Sequence, residues 1–212
     1  FHWLPLPLII GHEHAGEIAE VGDAVTEFRV GERVTSLAVL GCGKCTNCGM
    51  GRTNICVDRK ILGLHTNGVF AEYVKVPARY AHRLPDSLSY VETAPTEAMA
   101  TSAHAVLERS SVSPDSTVAI LGPGPIGLFA LQFLELFNVK KTMITGLTVD
   151  QGRLKIAEEL GADVIINVDQ EDPISRVKEE TEGAGVDIIF EASGSLLALQ
   201  QAVHMVKRGG EI

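Results

Sequence analysis

Residues 118–134 read VAILGPGPIGLFALQFL, and they carry the strongest fold signal in the second half of the chain. A short apolar run of strand length leads into a glycine-rich turn, and an apolar segment of helix length follows the turn. Gly122, Gly124 and Gly127 have the spacing G-x-G-x-x-G, which in a strand–turn–helix context predicts a dinucleotide-binding site. A plain glycine turn is the alternative, and the context favours the first interpretation.

Each glycine would have its own role in such a turn. Gly122 would make the tight turn, Gly124 would let the backbone approach a pyrophosphate, and Gly127 would let the helix pack closely on the sheet. Pro125 and Ile126 complete the turn where the helix opens, and the N-terminus of that helix would face the phosphate charge. These five residues form the predicted pyrophosphate site.

Strand and helix patterns alternate from about Asp115 to the end of the chain. This order of elements is typical of an α/β fold with a parallel sheet. We expect Gly161 to end the second helix and Gly209-Gly210 to end the fourth. The predicted strands cover residues 118–121, 142–145, 164–166 and 186–190, and the predicted helices cover residues 126–137, 151–160, 174–180 and 196–206.

The turn after the second strand bears on the choice between NAD and NADP. In NAD sites an acidic residue about 20 residues past the glycines holds the ribose 2′-hydroxyl. Gly146 stands where that acid is expected, and Asp150 is expected to cap the next helix. With no carboxylate to repel it, a 2′-phosphate could lie against Thr148 and Arg153, so NADP is favoured. The alternative is that Arg153 is simply a solvated residue in the first turn of the helix.

The first half of the chain, from about residue 1 to 92, has a different composition and is rich in valine, glycine and turn residues. Its short apolar runs indicate an all-β domain. Residues 90–108 are predicted to be helical and to join the two halves. The apolar runs are GEIAEVG at 16–22, RVTSLAV at 33–39 and VFAEYVKVP at 69–77.

All the cysteines of the chain lie in one glycine-rich loop, GCGKCTNCGMGRTNIC, at Cys42, Cys45, Cys48 and Cys56. The spacing C-x2-C-x2-C-x7-C is typical of a closed tetrahedral zinc site. Two disulfides or four free thiols are the alternatives, and the lack of a visible secretory signal disfavours disulfides. Because protein sulfurs would fill all four positions, such a zinc would hold the loop and perform no chemistry.

A second cluster of metal-capable side chains lies in the glycine-bounded turn GHEHAG at 11–16. His12 and Glu13 are adjacent there, and His14 follows. A lone histidine is usually structural, whereas a His-Glu pair beside glycines is also compatible with metal binding. The residues alone leave both readings open.

Composition and charge exclude several classes of partner. The 212 residues carry a formal net charge of -9, which gives no reason to expect nucleic acid or an anionic membrane. The longest uncharged run, Ser116–Leu134, is broken at its centre by glycines and prolines, so it does not read as a membrane span. We therefore predict a cytoplasmic protein.

Together the motifs resemble the zinc-dependent medium-chain alcohol dehydrogenases, and most closely the branch acting on sugars, polyols and threonine. The matching pieces come in family order and cover essentially the whole chain. They are GHEHAGEI at 11–18, the four-cysteine loop, GVFAEYVKVP at 68–77, TEAMATSAHAV at 96–106, GPGPIG at 122–127 and FEASG at 190–194.

The resemblance implies an α/β protein of two partial domains. Residues 1–95 would form a GroES-like, β-rich, zinc-binding catalytic domain, and residues 96–212 a Rossmann domain with a doubly wound parallel sheet. The implied function is hydride transfer between a secondary alcohol, polyol or sugar hydroxyl and NAD(P). The implied partners are that small-molecule substrate and, at full length, further copies of the chain.

The resemblance also implies roles for single residues. His12 matches the histidine that binds the catalytic zinc, Glu13 the adjacent glutamate, and Glu97 the glutamate that binds the zinc or its water. The family's first zinc ligand is a cysteine upstream of this histidine, and no cysteine precedes Cys42 here. Either that ligand lies before Phe1 or the protein lacks it. Both ends of the chain look cut, so we expect a fragment that is itself inactive.

Three other functions compete with this one. A zinc-free quinone or enone reductase of the same superfamily would normally lack both the cysteine loop and the Gly-His-Glu turn. A non-catalytic, zinc-stabilised nucleotide-binding module is compatible with the missing first ligand. A structural protein that kept the fold and lost the chemistry is the third, and binding of NADPH would count against it.

Overall fold

A computed structural model describes residues 6–212, so the predicted cut at Phe1 lies outside the described residues. The chain divides into two compact units, one ending at Glu97 and one running from Ala98 to Ile212. In the described part of the chain, no helix is long and apolar enough to cross a membrane. The assignment of residues 1–95 and 96–212 as functional domains stays a prediction.

The first unit is built from short elements joined by long irregular segments. Its strands β1, β2 and β5 form a three-stranded antiparallel sheet, and β3 pairs with β4 antiparallel on either side of the cysteine loop. The strands are β1 (Gly16–Glu17), β2 (Arg33–Ser36), β3 (Val39–Leu40), β4 (Lys60–Ile61) and β5 (Ala81–Arg83), and the helices are α1 (Thr46–Gly49), α2 (Tyr90–Thr93) and α3 (Thr96–Ala103), which continues into the second unit.

The strand expected over residues 69–77 does not form. The start of this segment instead hydrogen-bonds with residues 9–11, where the Val69 N–H donates to the Gly11 carbonyl oxygen at 3.0 Å. Gly11 has φ +92°, outside the extended region, so a regular ladder cannot continue through it. The pairing is therefore local and irregular.

The second unit alternates strands and helices, as the sequence predicted. Its five strands form one parallel sheet in the order β10-β9-β6-β7-β8. That order runs outward in both directions from β6, which is the doubly wound arrangement. The elements are β6 (Thr117–Leu121), α4 (Pro125–Glu135), β7 (Lys141–Gly146), α5 (Gln151–Glu159), β8 (Val164–Asn167), α6 (Pro173–Glu180), β9 (Val186–Glu191), α7 (Leu196–Met205) and β10 (Val206–Glu211).

Helices cover both faces of this sheet, and successive residues of β6 show it. Val118 and Ile120 belong to a buried cluster with α4 and α5, whereas Ala119 and Leu121 belong to one with α6 and α7. Strands buried on both faces read as continuous apolar runs, which is why the sequence revealed them. Each fully buried Ile or Leu side chain stabilises the fold by about 1.5–3 kcal/mol.

One predicted helix end differs from the structure. Gly209-Gly210 do not end the fourth helix, because α7 stops at Met205 and both glycines lie in β10. Gly209 has φ +75°, and the register of β10 against β9 shifts along this stretch, so the glycines serve a bulge in the strand. The segment 90–108 is helical as predicted, divided into α2, α3 and a π-helical turn at His104–Glu108.

Candidate functional site

The glycine turn joins β6 to α4 and has the tight packing that its sequence predicted. Gly122 has φ +104°, and a Cβ on it would lie 2.9 Å from the backbone nitrogen of Ser193. A Cβ on Gly127 would lie 2.1 Å from the Gly122 carbonyl oxygen, whereas one on Gly124 would meet no atom of residues 6–212 within 4 Å. Two of the glycines are thus required by packing, and the third leaves its backbone open to a ligand.

The first turn of α4 offers backbone donors beside that open backbone. Gly124 is the N-cap residue and Pro125 occupies the first helical position. The Leu128 N–H donates to the Gly124 carbonyl oxygen at 2.9 Å, so the N–H groups of Ile126 and Gly127 precede the first helical hydrogen bond. Donors of this kind, together with the helix dipole, bind phosphate.

Gly146 ends β7 next to this turn, and packing restricts it to a small residue. A Cβ there would lie 2.9 Å from Leu154 Cδ2 and 2.9 Å from Pro123 Cγ. A carboxylate at this position would have to displace both side chains. The packing around Gly146 therefore disfavours the acidic residue that the sequence also lacks at this position.

Thr148 and Arg153 follow Gly146, and each has an acidic partner. The Thr148 N–H donates to Asp169 Oδ2 at 2.8 Å, and Arg153 pairs with Asp150 at 3.2 Å while its side chain stays 58% exposed. Asp150 is the N-cap residue of α5, as predicted, but its carboxylate makes no capping bond to that helix and accepts from the Leu147 N–H at 3.3 Å.

The four cysteine sulfurs converge in the loop between β3 and β4. All four are free thiols, and their sulfur atoms lie within 4.8 Å of one another. Cys45 Sγ lies 3.7 Å from Cys56 Sγ, far beyond the S–S bond length of about 2.0 Å. Zn–S bonds of about 2.3 Å in a tetrahedron place the sulfurs about 3.8 Å apart. The arrangement therefore fits a zinc ion.

The loop also stabilises negative charge on these sulfurs. The Cys56 sulfur accepts from the N–H groups of Cys42 at 3.3 Å and of Asp58 at 3.4 Å. A hydrogen bond from the Cys48 backbone lowers the pKa of Cys45 to about 6. A backbone hydrogen bond from Gly43 acts to lower the pKa of Cys48, but burial and the three neighbouring sulfurs raise it to about 11. Crowded thiols that cannot all ionise are the kind of group that a cation stabilises.

His12, Glu13 and Glu97 form a second cluster. Each brings one ligand atom within 4.8 Å of the others, although Glu97 lies far along the chain in the first turn of α3. His12 and Glu97 are half-buried and Glu13 is exposed. One imidazole and two carboxylates suit zinc, and three protein ligands leave a coordination position open. The residues fit the metal, and their individual roles stay predictions.

Three further histidines, His14, His65 and His104, lie outside this cluster. His14 turns its Nε2 toward the Ser36 hydroxyl at 3.5 Å, and burial lowers its pKa. His65 lies in an exposed turn, where its Nδ1 accepts from the Ile61 N–H at 3.2 Å. His104 pairs with Glu108 at 2.8 Å and is half-exposed.

Two residues that hydrogen-bond with Thr148 were not singled out from the sequence. Asp169 holds the Thr148 N–H, and Asn167, the last residue of β8, hydrogen-bonds with the Thr148 hydroxyl at 3.1 Å. Both stand at the carboxyl end of β8, beside the end of β7. The rule that ligands bind at the carboxyl ends of parallel strands would have found them.

Two family models match the chain. The model of the alcohol dehydrogenase GroES-like domain matches residues 2–86, and that of the zinc-binding dehydrogenases matches residues 125–212. The first range contains the four-cysteine loop and the His12–Glu13 pair. The second range begins at Pro125, within the glycine turn.

Similar proteins match nearly the whole chain. A sorbitol dehydrogenase of Bacillus subtilis is 40% identical over 97% of this chain, and a D-arabitol-phosphate dehydrogenase of Enterococcus avium is 39% identical over 97%. This chain spans 58% of the length of each. A solved structure from Sinorhizobium meliloti 1021, described as a zinc-binding dehydrogenase bound to NADP, is 32% identical with a TM-score of 0.89, over 98% of this chain and 60% of that one.

Proposed function

Because this chain belongs to the zinc-dependent medium-chain alcohol dehydrogenase family, we propose that the protein transfers a hydride between NAD(P) and a secondary alcohol, polyol or sugar hydroxyl. One observation carries the proposal. His12, Glu13 and Glu97 bring their ligand atoms within 4.8 Å on a chain that also has the open glycine turn after β6. A metal cluster and a dinucleotide turn are the two parts that this chemistry needs.

His12, Glu13 and Glu97 would hold the metal at the reacting centre. A zinc ion bound there would supply Lewis acidity that stabilises the alkoxide form of the substrate. Glu97 would contribute its carboxylate from the first turn of α3. The exposure of Glu13 lets this carboxylate exchange with water or a substrate oxygen.

The four cysteines would hold a different zinc ion, with a structural role. Their thiolates would occupy all four tetrahedral positions and leave none for a substrate. The loop closed by Cys42 and Cys56 has only the short helix α1 and one 3₁₀ turn of its own. A metal would therefore replace the hydrophobic core that so short a loop cannot build.

We favour NADP over NAD as the cofactor. Gly146 stands where an acid would hold the ribose 2′-hydroxyl, and its contacts with Leu154 and Pro123 exclude a larger residue. Arg153 is exposed near the end of β7 and can turn from Asp150 to a 2′-phosphate. The turn itself, Gly122–Gly127, would bind the pyrophosphate of either dinucleotide.

The substrate class follows from the relatives, whose names specify sorbitol and D-arabitol phosphate. We propose a polyol or sugar alcohol for this protein as well, in a cytoplasmic homo-oligomer. Light scattering after size-exclusion chromatography measures the oligomeric state, and a monomeric mass would contradict that part of the proposal.

The central test combines zinc content with activity in the full-length protein and in its His12→Ala variant. We expect two zinc ions per chain in the parent and one in His12→Ala, together with loss of polyol-dependent formation of NADPH. His82→Ala is the matched control, since His82 is an exposed residue of β5 outside both clusters. It should keep both zinc ions and the activity.

The opposite results have distinct meanings. One zinc ion in both the parent and His12→Ala, with NADPH still bound, would indicate a non-catalytic nucleotide-binding module. Activity that persists after complete removal of zinc would indicate a reductase that works without the metal. Either result would overturn the proposed function.

A further inference from the structure

Gly11 immediately precedes His12, and three other residues enclose its backbone. A Cβ on Gly63 would lie 2.5 Å from both the nitrogen and the carbonyl oxygen of Gly11. A Cβ on Gly68 would lie 2.1 Å from the same oxygen and 2.6 Å from the Cα of Gly63. Three backbones are therefore stacked in direct contact, with no room for a side chain between them.

Hydrogen bonds fix this stack from the other direction. The Gly68 N–H donates to the Ile9 carbonyl oxygen at 2.7 Å, and the Val69 N–H donates to that of Gly11 at 3.0 Å. The Asn67 side chain accepts from the Ile9 N–H at 3.2 Å. Hydrogen bonds thus hold the backbone that precedes His12 on both sides of Ile10, at Ile9 and at Gly11.

The enclosing segment is itself anchored. Leu62 is only 1% exposed, and its N–H donates to the Ala38 carbonyl oxygen at 3.0 Å. Gly63 follows with φ +73°, and its N–H donates to Thr66 at 2.9 Å, which closes the turn 62–66. A buried side chain and a closed turn leave this segment little freedom to yield if Gly11 is pushed.

An aromatic ring covers the remaining side of Gly11. A Cβ there would lie 2.4 Å from Phe70 Cδ1 and 2.5 Å from Cε1, so the ring rests directly on the glycine. The ring is otherwise 70% exposed. It contributes little to a core, and the contact with Gly11 is what places it.

We propose that Gly63 and Gly68, with the Phe70 ring, position the Gly11–His12 backbone so that His12 meets Glu13 and Glu97 at metal-binding distance. This rests on the proposed function only in assuming that the cluster binds a divalent metal. Metal sites require their ligands in a fixed geometry, and residues that hold a ligand in place usually matter about 10–100-fold in affinity. None of the three needs to touch the metal.

The experiment measures Co²⁺ affinity at the His12 site by competition with a chelator, and records the visible spectrum of the bound ion. Gly63→Ala and Gly68→Ala would push the Gly11 backbone, and we expect both to weaken Co²⁺ binding about 10–100-fold. The four-cysteine site, with its distinct thiolate spectrum, should keep its ion. That contrast separates positioning from a general loss of stability.

Two glycines of the same unit serve as matched controls. Gly31→Ala has the same left-handed backbone as Gly63, at φ +88°, but no atom of the described residues lies within 4 Å of its Cβ position. Gly22 is not left-handed and has no neighbour among those residues within 4 Å of its Cβ position, so Gly22→Ala matches Gly68→Ala. Both controls should bind Co²⁺ as the parent does, with an unchanged spectrum.

Phe70→Ala covers the case in which the two glycine variants do not fold. It inserts no atoms and removes a mostly exposed ring, so the fold should persist while Gly11 gains freedom. We expect weaker Co²⁺ binding and an altered spectrum at the His12 site. Unchanged affinity in the variants that fold would overturn the positioning role.

A His12→Ala variant keeps the two proposals distinguishable. If the parent and His12→Ala bind the same number of ions, the cluster does not bind metal, and the proposed function falls together with the positioning role. If only the parent binds the extra ion, and Gly63→Ala, Gly68→Ala and Phe70→Ala bind it equally well, the positioning role alone is overturned.

Discussion

The carbonyl oxygen of Gly122 occupies the space that a side chain at Gly127 would need, since a Cβ there would lie 2.1 Å from that oxygen. The contact joins the end of β6 to the first turn of α4. The two backbones are in direct contact there, and this contact places the N-terminus of α4 at the carboxyl end of β6.

Gly127→Ala should therefore destabilise the second unit. Overpacking of this kind costs about 1–3 kcal/mol or more, because neither backbone can move without distorting β6 or α4. Urea unfolding measures the loss. Gly152→Ala is the control, since in the described part of the chain no atom lies within 4 Å of the Cβ position of this α5 glycine. It should leave stability unchanged or raise it by about 0.5–1 kcal/mol; equal stability of both variants would contradict the prediction.

Asp187 of β9 should make stability depend on pH. Its Oδ2 accepts from the Thr117 N–H at 2.7 Å and from the Thr117 hydroxyl at 2.6 Å, and Lys207 pairs with the same carboxylate. Burial acts to raise the pKa of Asp187, but the hydrogen bonds from Lys207 and Thr117 outweigh it and lower the pKa to about 2.

Because the pKa in the folded state lies below that in the unfolded state, the stabilisation is complete above about pH 4 and disappears as the pH falls toward 2. Asp187→Asn should lower the free energy of unfolding at pH 7 by about 1–2 kcal/mol, a value reduced for the partial exposure of the pair. Denaturant titrations across that range measure the effect. Asp115→Asn, at an exposed position, should follow the parent, and a constant difference at all pH values would contradict the assignment to Asp187.

The second unit was predictable from sequence because its signals are local. The glycine turn at 122–127 and the apolar run of β6 lie next to each other in the chain, and burial on both faces makes such strands apolar throughout. The exception is Gly209-Gly210, where a glycine pair suits a helix end and a strand bulge equally well. Only the pairing with β9 distinguishes the two.

In the first unit the decisive contacts are distant in sequence. The apolar run at 69–77 looks like a strand, but its hydrogen bonds go to residues 9–11, where Gly11 leaves the extended region. The closeness of Glu97 to His12 likewise depends on tertiary structure, and only the family resemblance suggested it. The cysteine loop was readable because its ligands are neighbours in the sequence.

Cys56→Ser should remove the metal of the cysteine loop and destabilise the first unit. Cys56 is fully buried, and two backbone N–H groups point at its sulfur, so a shorter hydroxyl cannot replace it. Structural zinc sites bind with about 10–16 kcal/mol in zinc-finger peptides, and folding depends on that energy. We expect one zinc ion fewer per chain and rapid proteolysis within residues 41–60. Met50→Ala, in the same loop with a 58% exposed side chain, should keep the zinc. A Cys56→Ser protein with the zinc content of the parent would contradict the prediction, because the sulfurs would then bind no metal.

Arg153→Ala should affect NADPH and spare NADH. A charge-assisted contact with the 2′-phosphate at an exposed site is worth about 1 kcal/mol, so the Kd for NADPH should rise about fivefold. Fluorescence titration of both dinucleotides provides the comparison. Lys155→Ala, one exposed cation further along α5, should leave both affinities unchanged. If Arg153→Ala weakened the binding of NADPH and NADH equally, Arg153 would not contact the 2′-phosphate.

In the full-length protein, Glu97→Ala should lower turnover far more than cofactor affinity. The carboxylate lies within 4.8 Å of the His12 and Glu13 ligand atoms, whereas the glycine turn that would bind the dinucleotide belongs to a different unit. Loss of one ligand or of its hydrogen bond to a bound water should reduce kcat about 10–100-fold, while the Kd for NADPH stays as in the parent. Glu17→Ala removes the same charge from the exposed end of β1 and should preserve both quantities. A Glu97→Ala protein with parental kcat and unchanged zinc content would exclude Glu97 from the metal site, because a carboxylate that holds the metal or its water cannot be dispensable to turnover.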